Sequence, residues 1–233
     1  YYGPMTQETF TTEINRLHRV PDTLLPIPEG IEFKQQMITE PKVLLAKYDA
    51  KQIYMSMISN RGESFDETIN PAMSMYNEYF SGSMNAIVFQ EMREARGLAY
   101  SAGAYLITPS KLKYPYIFRT FIATQNDKMD DALKAFDSII NDMPLSEKAF
   151  NLAKDALITR LRTERIIKSD VLWTYIQATD LGMKHDNRKE LFEQAQTMTL
   201  ADLKAFQEKW IKGRNYIYCI LGDEKELDMK KLS

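Results

Sequence analysis

Gly82-Ser83-Met84-Asn85-Ala86-Ile87-Val88-Phe89-Gln90-Glu91-Met92-Arg93-Glu94-Ala95-Arg96-Gly97-Leu98-Ala99-Tyr100-Ser101-Ala102-Gly103-Ala104-Tyr105 passes from a helical pattern into an extended one, with a glycine at the junction. On a helix of about 3.6 residues per turn, Phe89 and Arg93 share a face one turn apart. Gly97 is placed to end that helix, and Tyr100 follows three residues later. Two readings of these side chains stand. An apolar anchor, a fixed cation and a phenol converge where helix meets strand, or Phe89 and Tyr100 are core residues and Arg93 is a solvated surface cation.

On the carboxyl side, residues 99–108 and 114–124 read as a strand pair turning around Pro109-Ser110-Lys111. In the second of these, Ile117, Arg119, Phe121 and Ala123 alternate with Phe118, Thr120 and Ile122, so the pattern leaves open which face is buried. On the amino side, residues 67–80 read as a helix that accommodates Pro71 near its start. Before it, residues 43–48 and 52–59 are β-branched or aromatic in part. Their separation by Asp49-Ala50-Lys51 predicts a tight hairpin. Ile53, Met55 and Met57 alternate with Tyr54, Ser56 and Ile58, one apolar face against one mixed face, which predicts a sheet packed mainly on one side.

Farther out, Met129, Leu133, Phe136 and Ile140 recur at three and four within a helix over 127–141, with Ala132 and Ile139 widening the stripe. After Pro144, Ser146 is an N-cap candidate, Glu147 suits the positive helix end, and Leu145 is placed to staple onto Phe150. Ala149, Leu152, Ala153, Ala156, Leu157 and Leu161 are the expected buried side of that helix. Another helix covers 171–181 and stops at Gly182. Thr199-Leu200-Ala201-Asp202 has the form of a capping box opening a helix to about Lys212, with Met198 placed to staple onto Leu203. Residues 215–222 form a last, interior strand, where Cys219 reads as a small buried hydrophobe. At the amino end a helix over 6–19 precedes an extended, proline-bearing connection over 21–30.

Composition narrows the function classes. A chain of 233 residues, 44% of them hydrophobic, can bury a sizeable core. Its formal charge of -2 supplies no dominant field for nucleic acid or an anionic membrane, so neither is an expected partner. No apolar run approaches the roughly 20 residues that span a bilayer. One cysteine permits no intrachain disulfide, and with two separated histidines it makes no structural zinc framework. The compartment is left open, periplasmic and cytoplasmic alike. Because the chain starts at Tyr1, it is expected to be a fragment of something longer.

This order of elements is α+β, with strands pairing mostly antiparallel. Within it, residues 84–94 followed by Gly97-Leu98-Ala99-Tyr100-Ser101 resemble the signature of the second, non-zinc half of M16 metallopeptidases, the group of pitrilysin, insulin-degrading enzyme and mitochondrial processing peptidase. The resemblance covers most of the chain after about Pro41. It implies the LuxS/MPP-like metallohydrolase fold, with helices packed mainly on one face of the sheet, for residues 41–233. Residues 1–40 match poorly and are expected to be a helical tail and linker from a preceding domain. One departure is Gly82, flanked by Ser81 and Ser83 where the family often has more than one glycine.

In that family the catalytic half carries zinc on an H-x-x-E-H motif with a more distant glutamate as third ligand. His18 precedes Arg19, Val20 and Pro21, and His185 precedes Asp186, Asn187 and Arg188, so neither histidine begins the motif. No metal site is expected in this chain, and the resemblance implies zinc in a partner half, on the same polypeptide or a separate subunit. It further implies that the present half walls a substrate chamber and lends an Arg and a Tyr to the partner's zinc site. Those roles fall on Arg93 and Tyr100, with Phe89 as a pocket wall. Hydrolysis of a peptide bond puts negative charge on the carbonyl oxygen, which a phenol or guanidinium donor stabilises. Substrates are expected as extended strands added to a sheet edge, read mainly through their main chain. The alternative reading is an inactive scaffold or peptide-binding relative.

Overall fold

The computed structural model describes residues 1–31, 33–49, 51–223 and 225. In chain order these form α1 (Gln7–Leu17), β1 (Lys42–Lys47), β2 (Gln52–Ser59), α2 (Asn70–Ser81), α3 (Ile87–Phe89) running on as a π-helical turn (Gln90–Ala95), β3 (Ser101–Ile107) and β4 (Ile117–Gln125). Then follow α4 (Met129–Asn141), α5 (Glu147–Thr163), α6 (Ser169–Asp180), α7 (Arg188–Thr197), α8 (Leu200–Trp210) and β5 (Ile217–Gly222). The five strands make one sheet in the order β1-β5-β2-β4-β3, an α+β architecture.

The expected β1–β2 hairpin does not form. β5 enters between them, parallel to β1 (Leu44 beside Cys219) and antiparallel to β2 (Ser56 beside Cys219). A short loop made the hairpin locally plausible, but loop length sets only what is sterically possible. The apolar Ile220, 2% exposed, is buried from both sides by taking the interior slot. The β3–β4 pair forms as expected, antiparallel, with Gly103 opposite Phe121. A Cβ built on Gly103 would overlap the Phe121 ring, so the aromatic lies flat over the edge strand only because glycine is there.

Pairing and burial settle the faces. Ile53, Met55 and Met57 of β2, Phe118, Thr120 and Ile122 of β4, Ile220 of β5 and Tyr216 just before β5 lie under the helices. There they join Tyr76, Tyr79 and Phe80 of α2 and Phe136, Ile139 and Ile140 of α4 in one core. Tyr76 stacks on Phe80 and tilts against Phe118 and Phe206, tying α2 and α8 to β4. Burial pushes the Tyr76 phenol well above its ordinary range. At the core's rim Arg214 is buried with its Nη2 2.9 Å from Glu63 Oε1, and desolvation lowers the guanidinium's affinity for its proton despite that carboxylate.

The local signals act as read. Ser146 Oγ accepts from Ala149 N at 3.2 Å, and Thr199 and Asp202 complete a reciprocal capping box on α8. Two details differ. Leu145 remains 48% exposed, and Phe150 packs toward Tyr79. On α5, Leu152 and Ala156 face solvent and Phe150, Ala153 and Leu157 are the buried set. Helix α6 runs over Ser169–Asp180, two residues earlier at its start than expected, and is followed by Gly182 at φ +71; it buries none of its residues. Three clefts, of about 450, 390 and 310 Å3, flank α6. Helix α1 likewise buries no residue. The chain joins the body at residues 36–39, where Ile38 N donates to Asn60 O and Asn215 Nδ2 to Thr39 O. No helix among the described residues is long and apolar enough to cross a membrane.

Candidate functional site

The junction between the π-helical turn and β3 is built by backbone bonds that a regular helix end would not make. Met92 O accepts from both Leu98 N and Ala99 N, at 2.8 and 3.1 Å, while Arg93 O accepts from Gly97 N at 3.1 Å. Gly97 adopts φ +57, a conformation glycine takes without Cβ strain. Its carbonyl accepts from Lys128 Nζ at 3.1 Å, and Thr124 Oγ1 donates to Leu98 O at 2.6 Å. Tyr100 N then donates to Ala123 O at 2.9 Å and starts the sheet ladder. Buried Met92 and Ala99 anchor this corner from below, so the side chains above it stand on a fixed backbone.

Phe89, Arg93 and Tyr100 come together at this corner. The Arg93 guanidinium carbon lies 5.1 Å from the Phe89 ring centroid and 5.9 Å from that of Tyr100. Both are cation–π distances, each worth about 0.5–1 kcal/mol at an exposed site. Phe89 is half-buried, Tyr100 is 72% exposed, and the Arg93 side chain is 50% exposed. The nearest carboxylate to Arg93 is Glu94, a loose 3.9 Å from Nε. The convergent reading is the one the geometry matches; the core reading is not, because Tyr100 is exposed and Arg93 lies against two rings. The π-helical turn itself had no signal in the residue pattern, which fits an ordinary helix as well. Such turns recur at functional sites because the widened turn re-aims side chains.

Of the two sheet edges, β3 is closed over part of its length, at Ala104 and Leu106. On β3, Ala104 N donates to Ser81 Oγ at 2.9 Å, and Leu106 exchanges bonds with the Asn77 amide, N to Oδ1 at 3.0 Å and Nδ2 to O at 2.9 Å. The Tyr105 hydroxyl donates to Ser81 O. Side chains of α2 thus occupy outward groups of Ala104 and Leu106 that strand addition would use, a known protection of sheet edges. The other edge, β1, lies four strand spacings away, about 19 Å.

A second set of residues went unnoticed in the sequence because both faces of β4 read as apolar. On the face away from the helices, Tyr54, Phe121, Tyr105 and Leu221 stand 51%, 40%, 37% and 37% exposed. Arg119 sits among them with Nε 3.4 Å from Ser56 Oγ. Half-buried Cys219 lies on this face too.

For metal, the donor set does not fit. His185 Nε2 lies 3.2 Å from Glu190 Oε1, and His18 lies at the end of α1. Among the described residues no three of His, Cys, Asp and Glu gather to hold an ion.

Comparison with known proteins bears on the fold and the family. Solved structures share the fold: a peptidase M16 inactive domain from Pseudomonas fluorescens, at 17% identity and TM-score 0.69 over 84% of this chain and 47% of that one; a protease from Helicobacter pylori, at 11% and 0.67 over 95% and 53%; and the periplasmic protease PqqL from Escherichia coli, at 14% and 0.64 over 95% and 25%. The chain spans about half the length, or less, of these structures. No curated protein matches the sequence. A family model described as the peptidase M16 inactive domain matches residues 20–157, more than half of the chain and including the whole Phe89–Arg93–Tyr100 corner. The chain therefore belongs to the M16 peptidase family, as an inactive-half domain.

Proposed function

We propose that this chain is the non-catalytic half of an M16 zinc endopeptidase, that its open sheet face walls the peptide chamber, and that Arg93 and Tyr100 act at the zinc site of an H-x-x-E-H half. The observation that carries the reading is the exposed Arg93 held between the Phe89 and Tyr100 rings on a pinned corner. A guanidinium positioned over rings keeps its N–H donors at its rim for a planar acceptor such as a peptide carbonyl. A phenol beside it supplies an O–H donor. Zinc in the partner half supplies the activated water; this half supplies donors aimed at the oxygen that gains charge. The rings restrict Arg93 to few rotamers, so less side-chain entropy is lost when it binds.

The test is Tyr100→Phe in the assembled peptidase, which removes one hydroxyl and keeps the ring beside Arg93. It should lower kcat by roughly 100-fold to 1000-fold, as loss of an oxyanion donor does. Wild-type activity in that variant would make Tyr100 packing only and leave the scaffold reading. Zinc analysis of the isolated chain should find less than stoichiometric metal.

A further inference from the structure

We infer that the open sheet face reads the side chains of its peptide, and that Arg119 selects an acidic residue about four positions from the bond held at Tyr100. This rests on the peptidase reading above. With Ala104 N bonded to Ser81 and Leu106 N and O bonded to Asn77, the far half of the β3 edge offers a peptide few free main-chain groups. Recognition on this half passes to side chains of the open face.

That face has one chemistry over most of its area. Its exposed residues near β4 are Tyr54, Phe121 and Tyr105, and no Asp or Glu stands at an open-face position of any of the five strands. Arg119 lies within it on β4, between Ile58 on β2 and Tyr105 on β3. Its guanidinium leans on Ser56, whose hydroxyl is itself committed to Thr120 O at 2.9 Å, and no ion pair to Arg119 forms among the described residues. A cation on an apolar, carboxylate-free surface favours an anionic partner and disfavours a cationic one. The occupant is therefore an extended peptide that places apolar side chains on Tyr54 and Phe121 and a carboxylate on Arg119.

The register gives the distance. Tyr100 N bonds Ala123 O, and Arg119 is four residues from Ala123 on the same strand and the same face. At about 3.4 Å per residue that is about 14 Å, the span of roughly three to five residues of an extended peptide lying along the strands.

The experiment uses soluble twelve-residue peptides of Gly and Ser with two Phe and a single Glu, Gln or Lys, titrated calorimetrically into the chain. The same substitutions are then scanned outward from the cleaved bond in the assembled peptidase, reading kcat/KM. The wild-type chain should bind the Glu peptide about threefold to fivefold tighter than the Lys peptide, the range of an exposed ion pair. Arg119→Gln should abolish the preference, Arg119→Glu reverse it, and Arg119→Lys retain it, while Tm stays within the wild-type range because the side chain is exposed. The cleavage preference should peak three to five residues from the bond. Equal binding of all three peptides by wild type, no binding of any, or an unchanged preference in Arg119→Glu overturns the inference. If Tyr100→Phe lowers kcat but charge preference ignores Arg119, this inference alone fails. A preference that follows Arg119 while Tyr100→Phe stays fully active instead removes the catalytic reading and leaves a peptide-binding face.

Discussion

The two faces of the sheet carry the same strands and opposite fates. Phe118 and Phe121 are three residues apart on β4, yet Phe118 is fully buried against Tyr76 and Tyr216 while Phe121 is 40% exposed over Gly103. The covered face is aromatic and sulfur-rich because α2, α3, the π-helical turn and α4 pack on it. The open face is nearly as apolar but has no cover within the described chain. Scattered exposed apolar residues are ordinary on protein surfaces, whereas several side by side on one flat sheet mark an interaction site. Hydrophobicity alone therefore does not distinguish stability from function here, and position in the sheet does.

Three substitutions bear on that contrast. Phe118→Ala should cost about 3–5 kcal/mol in denaturant unfolding, as loss of a buried ring does, while Phe121→Ala should cost about 1 kcal/mol or less. Similar losses at both positions would mean that the open face is packed in solution. Asn77→Ala should cost about 1–3 kcal/mol, because it strips the partners from Leu106 N and O. Hydrogen exchange at Leu106 should accelerate in that variant and not at Ile122, which lies inside the sheet. An unchanged Leu106 amide would show that the Asn77 seal contributes nothing.

The smallest effect lies in the helical layer and depends on pH. Hydrogen bonds from the Thr199 side chain, then its backbone, hold the Asp202 carboxyl below the ordinary Asp range. A carboxylate with a lowered folded-state pKa stabilises fully above its unfolded value, near pH 4, and loses that contribution as pH falls through the folded value. The Tm difference between wild type and Asp202→Asn should thus be steady from pH 7 to 5 and shrink below pH 4. A difference that persists at pH 2 would show that the carboxylate charge is not what the cap uses.

How much was legible follows from the range of each interaction. Caps at Ser146 and Thr199, the stops at Gly97 and Gly182, and the α4 stripe depend on residues a turn apart, and all stand as read. The Phe89–Arg93–Tyr100 cluster was half legible, since spacing put Phe89 and Arg93 on one face but left Tyr100 either inside or outside. The β1–β2 pairing was misread because its competitor, β5, lies more than 150 residues away in sequence. Arg119 and the partly sealed β3 edge were invisible, because nothing local to β4 or β3 announces Ser56 or Asn77 as neighbours.

By itself, the sequence determined most of the elements, the α+β order and the family signature, since propensity, capping and periodicity act within a few residues; α7 (Arg188–Thr197) and the π-helical turn were not read from it. Only the tertiary structure decided which face of β4 is buried, that β5 separates β1 from β2, and that α2 closes part of the β3 edge. It also brought Tyr100 over to Arg93, because these outcomes depend on burial and pairing between segments far apart in the chain, where free energy is set by the whole arrangement and by no single stretch.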